Sequence, residues 1–306
     1  MAGGVINTGS HPKALWPGVK AWWGQVYNEY PDEYVDLFDV QTSEQAYEEL
    51  VQITGFGLAP VKTEGGSGTY DTETQGFTVR ATHIAYALGF KVTYEELKDN
   101  LYPVIAKNRA AANAFSMRQT VENVTVAMYN DAFTGSVFLY PDGQPLISDA
   151  HVNVTGGTFS NEMVPGADLS EVALEDINIQ LMQVRNDRGL LISVMGQSLH
   201  VAPQEWYNAN RIMKSIQQPG TANNDINVLK ATNAFPKGIK LNHYFSNPSA
   251  WFVRTNVQNG MIMYWRERPD FMKDNDFDTR NAKAMSYMRL SATCGDPRSI
   301  FGSLGP

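Results

Sequence analysis

Ala106, Ala110, Ala114, Met117, Val121, Val124 and Met128 recur at spacings of four, four, three, four, three and four. That is the period of an amphipathic helix, and it runs without a break. At 1.5 Å per residue, a helix from Val104 to Asn130 spans roughly 40 Å, longer than a small domain is wide. Such a helix is a rigid strut, and the rest of the chain must be arranged along it. Its expected extent is Thr93 to Asp131. Thr93-Tyr-Glu-Glu96 fits a capping box, and Pro103 is expected to kink or restart the helix.

Two segments precede the strut. The first crowds Trp16, Trp22, Trp23, Tyr27 and Tyr30 into fifteen positions, with Trp16, Trp23, Tyr27 and Tyr30 at helical offsets of seven, four and three. These rings either cover the chain's own core or pack across a subunit boundary, where Trp and Tyr are enriched. Ser43 is expected to cap a further helix over Glu44–Ile53, with acids in its first turn. The second segment carries Gly55, Gly57, Gly65, Gly66, Gly68 and Gly76, and Thr63–Gly68 reads as an exposed tip. Its return limb alternates, with Ile84, Tyr86, Leu88, Phe90 and Val92 on one face, as in a half-buried strand. An isolated two-stranded hairpin is marginal in water, so this one needs a surface to lie on. A neighbouring subunit is the natural candidate, and a mobile surface loop is the alternative.

After the strut the pattern mixes helices and strands. Ser170 or Asp168 is expected to cap a helix carrying Leu174, Ile177, Leu181 and Val184, with Gly189 as its stop. Leu190–Met195 and Leu199–Ala202 read as strands, and Pro203 opens a helix bearing Trp206, Ile212 and Met213. Strands are expected near Ile239–Phe245, Ala250–Arg254 and Met261–Arg266, with a polar loop over Gln218–Asn224. The fold class is α+β.

Catalytic constellations are wanting. His11, His83, His151, His200 and His243 are scattered, without the spacing of a zinc site. Ser148-Asp149-x-His151 reads as a turn, because a triad is defined by geometry and not by closeness in sequence. Asp274-Asn-Asp276-Phe-Asp278 begins like a calcium loop, but Thr279 stands where its glycine is needed and Met285 where its glutamate belongs. No dinucleotide or phosphate loop occurs. The expectation is no enzyme activity, no cofactor and no metal. Net charge is -8, so the chain is a poor direct binder of nucleic acid. The single cysteine, Cys294, cannot form an intrachain disulfide and reads as a small buried apolar group. No apolar run is long enough for a membrane helix, and residues 1–12 lack the features of a signal peptide. Intracellular synthesis is expected.

The order of parts resembles the tailed-phage major capsid protein of the Hong Kong ninety-seven type, over most of the chain. Three local signals carry the resemblance beside the layout. Phe90-Lys-Val-Thr-Tyr-Glu-Glu96 looks like the junction of the family's extended loop with its spine helix. Leu199-His-Val-Ala-Pro-Gln-Glu-Trp206 is similar to the strand–proline–helix element of its axial domain, and Met288–Gly302 resembles its closing strand and turn. The resemblance implies an N-terminal arm over 1–54, an extended β-hairpin loop over 55–92, a peripheral domain with spine helix over 93–188 and 269–306, and an axial domain over 189–268. It also implies hexamers and pentamers that close into an icosahedral shell around double-stranded DNA, within the virion, without sequence-specific binding and without a membrane. A portal and a possible decoration protein would be partners. A separate scaffolding protein is expected, because no long charged helical segment opens the chain. The candidate intersubunit contacts are Trp16, Trp22, Trp23, Tyr27, Lys62, Glu64, Tyr70 and Arg80. Lys62 is the one lysine between Lys20 and Lys91, but no acidic catalyst can be placed for a cross-link and none is expected. Rival readings are an encapsulin-like compartment of the same fold, an enzyme using His151 or His200, and a tail or decoration protein.

Overall fold

The computed structural model describes residues 12–95, 102–218, 225–275 and 281–306, and the side chains of 12–19, 102–106 and 275 are not among them. Glu96, His11, Asp276, Asp278, most of the polar loop at 219–224 and the side chains of Trp16 and Ala106 therefore lie outside the described residues.

A helix, α1 (Pro12–Tyr27), and a single turn, α2 (Tyr34–Leu37), lead into the short strand β1 (Asp39–Thr42). β2 (Tyr47–Ile53), β3 (Gln75–Thr82) and β4 (Ile84–Val92) precede the long helix α3 (Tyr102–Asn130). The expected stripe faces the core: Ala110, Ala114 and Val121 are fully buried, and Met117 and Met128 nearly so. This face sits on β4 and on the paired strands β10 (Met261–Asn275) and β11 (Ala282–Cys294). Those strands and β1 form one sheet in the order β1-β10-β11-β4, in which β1 runs parallel to β10 and the other pairs are antiparallel. α1 lies beside α3 and reaches the same sheet at β10. Trp23, 5% exposed, stacks on Tyr27 and Phe271 and donates its indole N–H to Asn113 Oδ1 at 2.8 Å.

A second sheet has the order β12-β9-β7-β8, from β7 (Gly196–Val201), β8 (Ile239–Leu241), β9 (Trp251–Thr255) and β12 (Ile300–Ser303). The short strands β5 (His151–Val152) and β6 (Thr158–Phe159) form a small pair of their own. Leu199, Val201, Trp251, Val253 and Phe301 give the second sheet a separate core under α4 (Glu171–Met182) and α5 (Trp206–Lys214). α6 (Val228–Ala231) adds Leu229 to it. Ser170 caps α4, its hydroxyl accepting from Ala173 N at 3.2 Å. Cys294 is free and buried.

Several expectations are corrected. Glu44–Ile53 is not a helix. Its side chains alternate between exposed and half-buried, and they pair across β3. Ser43 makes a local turn, accepting from Gln45 N and donating to Glu48 Oε1, so no helix N-terminus is capped there. The hairpin limbs are β2 and β3, so the hairpin starts at Tyr47 and not at Gly55. β4 belongs to the sheet under α3. α4 ends at Met182, well before Gly189, and Leu190–Met195 holds only an isolated bridge from Arg185 to Leu191. The expected domain limit at Arg268 falls inside β10, so residues 261–268 lie in the first sheet. Pro269 is accommodated where the register with β11 shifts, between Glu267 and Asp270, where a missing backbone donor costs least. Residues 300–303 cross to the second sheet.

Between α1 and the sheets, four acids act as a clasp. Asp32 pairs with Arg118, Glu33 with His243 Nδ1 at 2.6 Å, Asp36 with Lys240 at 2.9 Å and Asp39 with Arg254 at 3.1 Å. Arg118 is on α3, while Lys240 and Arg254 are on β8 and β9, so segment 32–39 ties both cores together. Beneath it, Glu122 of α3 accepts the backbone N–H groups of Glu33 and Tyr34, each at 3.0 Å. Burial pushes the Glu122 carboxyl up to about 7, against the opposing pull of the Glu33 N–H and of Arg118.

The folded chain therefore holds a proton on Glu122 that the unfolded chain releases from about pH 4.5 upward. This contribution to stability is fully present below that value and is lost as pH rises to about 7, amounting to about 3 kcal/mol at most. Glu122→Gln removes the titration. Urea midpoints of the variant should decline less than those of the parent between about pH 5 and pH 7.5. Identical pH slopes would show that Glu122 titrates as it does in the unfolded chain.

Candidate assembly interface

The hairpin has two faces because β-strand side chains alternate. Its inner face, with Leu50 and Ala81, packs on Ile262 and Tyr264 of β10. Its outer face pairs Glu49 with Arg80 across the strands, at 2.7 Å, and the Arg80 guanidinium lies 4.4 Å from the Tyr47 ring centroid. Beyond the limbs, residues 54–74 have no regular strand. Thr63–Gly66 closes a turn, with Gly66 N donating to Thr63 O and Gly65 at a φ of +76° that suits glycine. Nearer the body, Asp71 accepts from Gly57 N and Thr72 N, each at 2.8 Å, and these bonds hold its carboxyl below the usual range.

The tip exposes apolar side chains. Val61 is 95% exposed and Tyr70 is 97% exposed, and Phe56 and Leu58 are exposed beside them. Four apolar groups on one projecting segment are a surface that water disfavours and a partner would cover. Lys62 and Glu64 stand exposed in the same segment, beside the apolar groups.

The other candidate contacts lie elsewhere. Trp23 is buried in its own subunit and has little surface left for a neighbour, so the core-covering alternative holds for it. Trp22 and Tyr27 are partly buried against the same core. The hairpin and the arm helix are thus separate surfaces. Sequence reading missed the acidic clasp, although four acids within Asp32–Asp39 were a visible signal. It also missed the turn Asn186–Gly189, on which the hairpin rests.

The four histidines among the described residues do not converge. His83 bridges Ser43 and Ser291, His151 is buried against Asp142 at 2.7 Å, and His243 is exposed beside Glu33. Burial drives His200 down to about 3, with Arg254 and Lys240 adding to the effect, so it is neutral at ordinary pH. The Ser148 hydroxyl donates to Gln144 and accepts from Ala150 N, so it does not engage His151 as a nucleophile would. Among the described residues no cluster of three or more potential metal ligands occurs, and no helix is long and apolar enough to cross a membrane.

Comparison with known proteins gives these shapes a context. A family model described as phage capsid protein matches residues 73–302. No curated protein matches by sequence. A virus-like particle from Pyrococcus furiosus superimposes with a TM-score of 0.56 at 12% identity, covering 94% of this chain and 98% of that one. A structure from Mycobacterium phage Patience gives 0.53 at 12% identity, covering 97% and 88%. The capsid of Myoviridae phage XM1 gives 0.51 at 10% identity, covering 91% and 94%. At such identities the structures establish the shared fold, the Hong Kong ninety-seven type, and the family match extends over well over half of the sequence. The chain belongs to the phage capsid protein family.

Proposed function

We propose that this chain is the major head protein of a tailed bacteriophage, and that it assembles into hexamers and pentamers of a closed icosahedral shell around double-stranded DNA. The observation that carries the reading is the projecting hairpin. The body has two complete cores of its own, whereas the hairpin tip presents Val61 and Tyr70 almost wholly to water. Such a segment is stabilised by a neighbouring copy. The acidic chain then acts as a wall and not as a glue, since dense anionic DNA is bound chiefly by cationic surface.

The division into parts follows the same reading, with adjusted limits. The arm is α1 with the clasp, and the extended loop is β2, β3 and their tip. The peripheral domain is α3 with the first sheet, and the axial domain is the second sheet with α4, α5 and α6. A separate scaffolding protein, a portal and a possible decoration protein are the partners this reading calls for. Lys62, Glu64, Tyr70 and Arg80 are the contacts proposed from the hairpin, and Trp22 and Tyr27 those from the arm. The role is structural, and the place of the protein is the virion shell.

A compartment shell is the second reading, supported by the similarity to the Pyrococcus furiosus virus-like particle. The contents of purified particles discriminate the two: packaged DNA supports the head protein, and a protein cargo supports the compartment.

The experiment uses the full chain. Val61→Ser with Tyr70→Ser should leave subunit stability within about 0.5 kcal/mol, because both groups are already in water. It should nevertheless reduce or abolish particle formation, measured by light scattering. In the parent protein, cleavage within Thr63–Gly68 should slow at least roughly tenfold on assembly, because binding stabilises what it orders. Normal particles from the double variant, or equal cleavage of free and assembled parent, would count against the reading.

A further inference from the structure

The hairpin tip joins the body through a narrow neck, with Thr54 N donating to Thr74 O at 3.1 Å. Beside the neck is a tight turn, Asn186–Gly189. The Asn186 side chain accepts from Arg188 N at 3.0 Å and from Leu190 N at 2.8 Å, and Gly189 adopts a φ of +77°. The turn presents two side chains to the hairpin. Asp187 Oδ2 accepts from Gln52 Nε2 at 2.7 Å. Arg188 reaches both limbs at once: its Nε donates to Gly55 O at 3.3 Å on the outgoing limb, and its Nη2 donates to Thr72 O on the returning limb. Its Nη2 is also 3.8 Å from the Asp71 carboxylate.

The turn is itself anchored. Arg298, 2% exposed, donates from Nη2 to the other Asp187 oxygen at 3.1 Å and to Asn153 Oδ1 at 2.6 Å. Its Nε donates to Arg185 O at 3.1 Å, Asp296 is at 3.4 Å, and its guanidinium lies 4.2 Å from the Phe159 ring centroid. A buried guanidinium with that many fixed partners does not swing freely. Charge-assisted bonds thus run from the C-terminal turn through Asp187 to Gln52 of the hairpin, and Arg188, the next residue along the chain, bonds both limbs of the neck.

We propose that Arg188 is a positioning residue that sets the angle of the hairpin to the body, and so the geometry in which one copy of this chain grips the next. The inference rests on the shell reading above. Segment 54–74 can reach on the order of 30 Å from the neck, so a rotation of about 10° there moves the tip by about 5 Å. A displacement of that size transfers tip contacts from one residue to another. The planar guanidinium holds its donors in a fixed fork and so fixes the direction of both bonds, whereas a lysine ammonium is a rotatable point charge that fixes neither.

The test uses the full chain with Ser67→Cys and Asp176→Cys, two exposed positions on the tip and on α4. The native Cys294 is buried and stays unlabelled. Spin-label distances between the two sites are measured in the unassembled subunit for the parent, R188A and R188K, with thermal unfolding as the folding control. Particle diameters are then measured by electron microscopy without labels. The parent should give a narrow distance distribution, and both variants a distribution at least about twice as wide, with a broadened range of particle diameters. If R188A does not fold, R188K decides the question. Unchanged distances overturn the inference, and so do widened distances with unchanged particle sizes. If the parent forms no particles at all, the shell reading fails, while the distance measurement still reports on the bracket.

Discussion

The seating of one apolar helix face on one sheet underlies everything else in this subunit. Ala110, Ala114, Met117 and Val121 present small and flexible side chains to β4, β10 and β11, so the helix lies close to the strands over much of its length. A straight contact of that length makes helix and sheet a single stiff plate. The arm helix is clamped beside α3 by Trp23, which enters the same core, and the base of the hairpin is clamped to β10 by Leu50 and Ala81. The projecting parts are therefore carried by a rigid frame. Rigidity of this kind suits a subunit whose work is to hold neighbours at fixed angles.

Charge is organised around the same frame. The net charge of -8 is not spread evenly over the surface. Three of the four acids in segment 32–39 face cations of α3, β8 and β9, the fourth faces the His243 imidazole in the loop after β8, and all four bring the two cores together. Exposed pairs contribute little each, but Arg118 and Arg254 are largely buried, and removing the aspartate opposite either one would leave a buried guanidinium short of its carboxylate. Glu122 lies beneath this clasp with the opposite preference, since burial favours its protonated form. The junction between arm and body thus responds to pH and salt, while the apolar plate does not.

Much of this architecture was legible in the sequence where a single period persisted. The α3 stripe and the α5 helix follow from local pattern, a cap at Ser170 or Asp168 was narrowed to Ser170 by the structure, and the burial of Cys294 follows from its residue type. The errors arose where partners distant in sequence decide the outcome. Acids behind a serine suggested a helix at Glu44–Ile53, yet pairing with β3 made it a strand. The resemblance implied a domain limit at 268/269, yet a register shift lets β10 run through Pro269 without a break. The neck bracket was invisible because Gln52, Arg188 and Arg298 are distant in sequence and meet only in the fold. The aromatic arm was ambiguous for the same reason, and only the burial of Trp23 assigns that ring to its own subunit.

The most direct measurement is an electron-microscopic reconstruction of particles formed by the full chain, at a resolution that places side chains. A closed shell of hexamers and pentamers is expected, with Val61 and Tyr70 covered by an adjacent copy and Trp23 buried within its own. A monomer under all conditions, or an ordered assembly in which the hairpin tip still stands in solvent, would contradict the claim that this hairpin is the grip by which the shell is built.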